Sequence, residues 1–270
     1  MTVEQWRAPL DEAALRDRVL GAGGFWRRLD VVAETGSTNA DLLARAERGE
    51  DIDGAVLIAE HQTAGRGRQG RTWSDVPGAV ITMSVGVDAA SVPTAGWGWV
   101  PLATGVAIVD AVTPLGVTAG LKWPNDVLAG DGKLAGILVE VAPTQQSLVI
   151  GIGLNVSLRP DEIGVPDATS LVALGVADPD RAAVIERLLS ALGRRLAAWR
   201  AAGGADAALV ADYRARSRTL GMKVRALLPG GRELVGVARD IDGEGRLLVE
   251  TTETVTVSAG DVVHVHPAGN

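Results

Sequence analysis

The chain has 270 residues, a formal net charge of −7 and no cysteine, which excludes disulfides, thiolate chemistry and cysteine-ligated metal. Hydrophobic residues make up 47% and aromatics 3%, so a large aliphatic core is expected and wholesale disorder is not. The acidic balance argues against a general nucleic-acid or anionic-membrane binder, and with only His61, His264 and His266 a His-rich metal site is not expected.

Residues 10–20 read as a short helix, with Asp11 as its cap, Leu15 and Val19 on one face, and Gly21, Gly23 and Gly24 at its end. Glu4, Asp11, Glu12 and Asp17, with no apolar stretch between them, give this end no signal-peptide character, and a cytoplasmic protein is expected. A strand follows at 29–34. Gly36-Ser37-Thr38-Asn39 then opens a helix with Leu42, Leu43 and Ala46 on one side, and Ser37 or Thr38 is a natural N-cap. Strands at 55–60 and 79–87 flank a polar loop, HQTAGRGRQGRTW. Residues 97–112 read as a nearly all-apolar buried helix. The apolar stretch 97–109, interrupted by Gly98, Pro101 and Gly105, reads as too short to span a bilayer.

From 120 onward the pattern becomes an antiparallel meander: LKW, DVLA, KLAGILVEVA and SLVIGIGLNV, joined by Gly130-Asp131-Gly132 and Pro143-Thr144-Gln145-Gln146. Residues 180–199 and 205–218 read as helices. Five short β segments close the chain: MKVRALL, ELVGVARDI, RLLVET, VTVSA and VVHVH. Turns at Pro229-Gly230-Gly231, Asp242-Gly243 and Thr252-Glu253 join them into a small closed barrel. The boundary falls near 219, giving a domain over 1–219 and a small β domain over 220–270.

Five segments carry candidate chemistry. Gly65-Arg66-Gly67-Arg68-Gln69-Gly70-Arg71 sets three arginines among glycines, a pattern suited to a phosphate or carboxylate; alone it also fits a solvated loop. It matches neither a Walker A loop nor a Rossmann fingerprint. Lys122-Trp123-Pro124-Asn125-Asp126 puts a cation, an amide and a carboxylate in one corner beside a half-buried Trp, or is an ordinary turn. In the strand that starts at Lys133, alternation sets Lys133, Ala135, Ile137 and Val139 on one face, and Leu134, Gly136, Leu138 and Glu140 on the other. Gly151 and Gly153 share a face that either packs loosely against a bulky neighbour or forms a flat wall beside a planar ligand, with Asn155 at its edge. Ser37-Thr38-Asn39 is explained by capping alone.

Taken together, GSTN, HQTAGRGRQGRTW, KWPND, KLAGILVE, GIGLNV and a small C-terminal β domain resemble, in content, order and spacing, the biotin protein ligases. The resemblance covers roughly residues 30–266. It implies an α+β fold: a mixed, mostly antiparallel sheet with helices packed on it, plus a small C-terminal SH3-like β-barrel. It also implies a two-step reaction. Biotin and Mg-ATP form biotinyl-5′-AMP and pyrophosphate, and the adenylate then acylates one lysine of a biotin carboxyl carrier domain. Biotin is placed against Ser37, Thr38, Asn39, Gln62, Gly65, Arg66, Arg68, Lys133 and Gly136. The nucleotide is placed against Arg66, Arg68, Arg71, Trp73, Lys122, Asn125, Lys133 and Asn155. Catalysis falls to Lys133, Arg68 and Asp126: Lys133 between the carboxylate and the α-phosphate, Asp126 beside the incoming lysine.

Mg²⁺ is expected with ATP, and the sequence does not name its ligands. The arginine loop is expected to stay loose until a ligand anion engages it. Only 36 residues precede Ser37, so no winged-helix repressor domain is expected, and neither nucleic acid nor membrane is an expected partner. The competing readings are a lipoate or octanoate ligase on the same scaffold and, from another class, a nucleic-acid-binding module.

Overall fold

The structure is a computed structural model that describes residues 6–21, 23–74, 76–143, 146–159, 161–162, 167–228, 232–258 and 261–264. Helix α1 (Glu12–Val19) is capped by the Asp11 carboxylate, which accepts from the Ala14 N–H. Strand β1 (Arg28–Val32) follows, then α2 (Thr38–Glu47), whose N-cap is Ser37. Strands β2 (Ala55–Ala59) and β3 (Val80–Asp88) precede the long apolar helix α3 (Trp99–Val112). The expected meander forms as β4 (Ala119–Lys122), β5 (Asp126–Ala129), β6 (Gly132–Val141) and β7 (Ser147–Asn155). Two helices follow, α4 (Arg181–Ala202) and α5 (Ala207–Arg216), capped by Asp180 and Asp206.

The seven strands form one mixed sheet in the order β1-β2-β3-β7-β6-β5-β4. Only β1 and β2 run parallel; the other pairs are antiparallel. Alternation divides the sheet cleanly. Val56, Ile58, Ile81, Met83, Ile150, Ile152 and Leu154 join α3 and α4 in the main core. Each such side chain contributes about 1.5–3 kcal/mol on full burial. On the opposite face, Leu42 and Ala46 of α2 pack on Leu57 and Val149. That helix covers one end of the face and leaves the rest open.

Helix α3 and its flanking 3₁₀ turns make a continuous helical stretch, Thr94–Leu115, long and apolar enough to cross a membrane by length and composition. This corrects the expectation from 97–109 alone, because the flanking turns lengthen the segment. Its burial is that of a core helix: Trp99, Val100, Val106, Ala107 and Ile108 are each fully buried between the sheet and α4.

The five expected tail strands form a second antiparallel sheet. They are β8 (Lys223–Leu228), β9 (Arg232–Ile241), β10 (Leu247–Glu250), β11 (Thr254–Val257) and β12 (Asp261–His264), in the order β11-β10-β9-β8-β12. The expected turn at 229–231, residues 144–145 of another, and residues 265–266 of the last segment lie outside the described residues. The β9–β10 turn docks on the start of α3 and on the turn after β4. Trp99 Nε1 donates to the Asp242 and Gly243 carbonyls at 3.2 and 3.1 Å, and Trp123 Nε1 donates to the Gly245 carbonyl at 3.0 Å. A Cβ on Gly98 would lie 2.1 Å from the Glu244 carbonyl oxygen, so the two backbones touch there. Trp123, expected to be half-buried, is therefore a buried tie between the two sheets.

Candidate active site

The open part of the sheet face is the floor of a cleft of about 740 Å³. Strand register builds it in rows. Thr82, Gly153, Gly136 and Asp126 lie side by side across β3, β7, β6 and β5, and Ser84, Gly151 and Leu138 form the next row. The glycines keep the floor low, and a side chain already uses the space. A Cβ on Gly153 would lie 2.3 Å from two ring carbons of Trp73, and one on Gly136 would lie 2.9 Å from a third. The Trp73 indole thus lies on the glycine floor, and its Nε1 has no hydrogen-bond partner among the described residues. Gly153→Ala should force the indole off the floor and lower the stability of the fold by about 1–3 kcal/mol, the cost of overpacking of this kind. Denaturant titration checks this; wild-type stability in the variant would contradict it.

Lys133 departs from the expected alternation. The β5–β6 register slips between Val127 and Leu128, so that Val127 faces Ala135 while Leu128 faces Lys133. The extra residue is a bulge, and it turns Lys133 onto the cleft face instead of the Ala135 face. Its Nζ reaches Asp126 Oδ1 at 2.6 Å and lies 5.6 Å from the centre of the Trp73 ring. A cation, a carboxylate and an aromatic face thereby meet over Gly136. The Lys133 backbone is held as well. Its N–H donates to the Asp167 carbonyl at 2.6 Å, and its own carbonyl accepts from the Thr169 N–H and from Asn155 Nδ2.

The arginine loop folds back as a tight hairpin with its own partners. Arg66 bridges to Thr72, the Trp73 N–H donates to the Gly65 carbonyl, and Gln69 occupies the left-handed region at φ 55°. Arg66 pairs with Glu140 at 3.0 Å, and Arg68 Nη1 donates to Asn125 Oδ1 at 3.2 Å. At the other wall, the Thr38 N–H donates to Gln62 Oε1 at 2.8 Å, and Thr38 Oγ1 lies 3.0 Å from the same oxygen.

The N-terminal segment supports the far end of the cleft. Arg7 donates to both Glu162 carboxylate oxygens, at 2.9 and 2.6 Å, and to the Ser157 carbonyl at 2.7 Å. Glu162 lines the cleft, and the Arg7 hydrogen bond holds its carboxyl down at about 2, from 4.5. A depressed folded-state pKa adds stability that is complete above pH 4.5 and is lost as pH falls from there toward 2. Arg7→Ala should therefore be less stable than wild type at pH 6, and the gap should narrow at pH 3. Denaturant titration at the two pH values checks this, and an equal gap at both would contradict it.

Residues 35–157 match the biotin/lipoate A/B protein ligase family, and residues 219–265 match the biotin protein ligase C terminal domain. The chain is 58% identical to the biotin–[acetyl-CoA-carboxylase] ligase of Mycobacterium tuberculosis over 97% of its own length and 98% of the relative's. The chain belongs to the biotin protein ligases. It is also 34% identical to the bifunctional ligase/repressor BirA of Escherichia coli, over 79% of this chain and 66% of that one. The biotin protein ligase of Aquifex aeolicus in complex with biotin and ATP shares the fold at a TM-score of 0.75 and 26% identity, over 88% of this chain and 98% of that one.

In this biotin protein ligase, every sequence-predicted site residue except Gly65 lines the one cleft. Gly65 stands behind it: a Cβ there would lie 2.4 Å from the Trp73 carbonyl oxygen, so glycine is required for the hairpin to close. Asn155 lines the cleft with its Nδ2 spent on the Lys133 and Thr169 carbonyls, which makes it a brace for Lys133. Sequence reasoning missed Thr82, Ser84, Glu162 and His264. A polar residue at 82 and at 84 in an apolar strand was the available signal for the first two. Nothing local marked Glu162 or His264, which reach the cleft from a loop and from the tail sheet.

Proposed function

We propose that the chain is an ATP-dependent biotin protein ligase that activates biotin as biotinyl-5′-AMP and transfers it to a lysine of a biotin carboxyl carrier domain. The observation that carries this reading is Lys133 Nζ held over the glycine floor by a β-bulge, beside a loop bearing three arginines. In the first step a biotin carboxylate oxygen attacks the α-phosphorus and pyrophosphate leaves. Two anions must approach, and Lys133 with Arg66 and Arg68 offsets their repulsion and the charge that builds up in the transition state. Arg71, Trp73, Lys122 and Asn125 line the same cleft and are read as the nucleotide's contacts.

The Lys133–Asp126 pair gives the two steps an order. Before ligand binds, Asp126 neutralises Lys133 at 2.6 Å. A carboxylate and a phosphate draw Lys133 away, and Asp126 is then available to the incoming amine. In the second step that amine attacks the anhydride carbonyl, AMP leaves with the bonding pair, and the ammonium proton passes toward Asp126. A free lysine with pKa about 10.4 is almost wholly protonated at pH 7, so a carboxylate positioned to accept the proton matters.

Among the described residues no group of three or more His, Asp or Glu could hold a metal ion. Mg²⁺ is read as part of the Mg-ATP substrate, held mainly by phosphate and water oxygens. Residues 1–219 are read as the catalytic domain and 220–270 as the small β domain. A cytoplasmic setting agrees with ATP and a carboxylase carrier as substrates. The test is pyrophosphate release with ATP and biotin, lipoate or octanoate. Release with biotin alone supports the reading; release with lipoate or octanoate but not biotin overturns it.

A further inference from the structure

Glu140 does not line the cleft, yet it touches two residues that do. Its Oε2 accepts from Asn39 Nδ2 at 2.8 Å and from Arg66 Nη2 at 3.0 Å. An ionised carboxylate only accepts hydrogen bonds, so the Asn39 amide must turn its NH₂ toward Glu140. Asn39 Oδ1 then faces Ser84 Oγ at 2.5 Å, and that hydroxyl lies 2.6 Å from Thr38 Oγ1. Beyond it, Gln62 Oε1 is fixed by the Thr38 N–H. Asn39, Ser84, Thr38 and Gln62 are all buried, and a reversed amide would set Asn39 Oδ1 against the Glu140 carboxylate and the Leu138 carbonyl, acceptor against acceptor. Gly151 makes the arrangement possible, because a Cβ there would lie 2.4 Å from Asn39 Oδ1.

We propose that Glu140 is a positioning residue: acting through Asn39, it fixes which atoms of the Asn39–Ser84–Thr38–Gln62 chain donate and which accept, and so sets the hydrogen-bond pattern that reads a urea-like ligand head. The inference rests on the ligase reading, which supplies that head as the ureido ring of biotin. Glutamine at 140 keeps the shape but can donate as well as accept, so Asn39 loses its single orientation.

The test is titration calorimetry of biotin without ATP, together with steady-state kinetics, on wild type, Glu140→Gln, Glu140→Asp, Asn39→Ala and the Asn39→Ala/Glu140→Gln double variant. Glu140→Gln should weaken biotin about fivefold to a hundredfold, the range expected for one unmade buried hydrogen bond. The thermal midpoint should stay near wild type, which a merely structural role would not allow, and any change in kcat or in the KM for ATP should persist in the Asn39→Ala background, because it runs through Arg66. Glu140→Asp should recover part of the affinity, and Glu140→Gln should add no loss of affinity in the Asn39→Ala background. Unchanged biotin affinity in Glu140→Gln, or losses that add in the double variant, would overturn the proposal. If wild type itself bound no biotin, the ligase reading would fall, and this inference with it.

Discussion

Replacing Lys133 with alanine should lower biotin-dependent pyrophosphate release by at least about 10²-fold, or about 2.7 kcal/mol of transition-state stabilisation. The reason is geometric as well as electrostatic. A strand residue at this position would point into the core beside Ala135; the bulge between Val127 and Leu128 sends it to the cleft. There it stands over the glycine floor, with its backbone gripped by Asp167, Thr169 and Asn155. Lys133→Arg should rescue poorly. Its planar fork is longer, and the space above Gly136 is already shared with the Trp73 ring. Near-normal release in Lys133→Ala would remove this residue from the first step.

Asp126→Asn should have its larger effect on the second step. Supplied with preformed biotinyl-5′-AMP and a carrier domain, the variant should acylate the carrier about 10²-fold more slowly, the lower end of what a positioned general base contributes. Adenylate formation should change less, because asparagine removes the competitor that holds Lys133 in the unliganded site. The contrast between the steps is the informative quantity. Equal losses in both would mean that Asp126 serves only to place Lys133. An unchanged transfer rate would leave the incoming amine without the assigned proton acceptor.

Much of this was legible in the residues because each motif carries a local signature. Ser37 caps α2, the four strands of 119–155 form the expected meander, and the glycine-rich segments mark the floor. What the sequence concealed is non-local. Hairpin spacing says that β6 and β7 pair, but not that β7 also pairs with β3, and that pairing sets Gly153 beside Thr82. Alternation placed Glu140 on the Gly136 face, which is where it lies, yet gave no sign that Asn39, 101 residues earlier, would meet it. Alternation misplaced Lys133 because a one-residue bulge leaves no mark in a run of apolar residues. Trp123 looked like a half-exposed turn residue because its partner, the Gly245 carbonyl, belongs to the tail sheet.

The proposed reaction joins biotin to a carrier lysine in this cleft by way of an adenylate. Its most direct test is mass spectrometry of a biotin carboxyl carrier domain incubated with the chain, ATP and biotin. One biotin on one lysine is expected, dependent on ATP and abolished in Lys133→Ala. An unmodified carrier, or a carrier that takes up lipoate or octanoate in place of biotin, would contradict it.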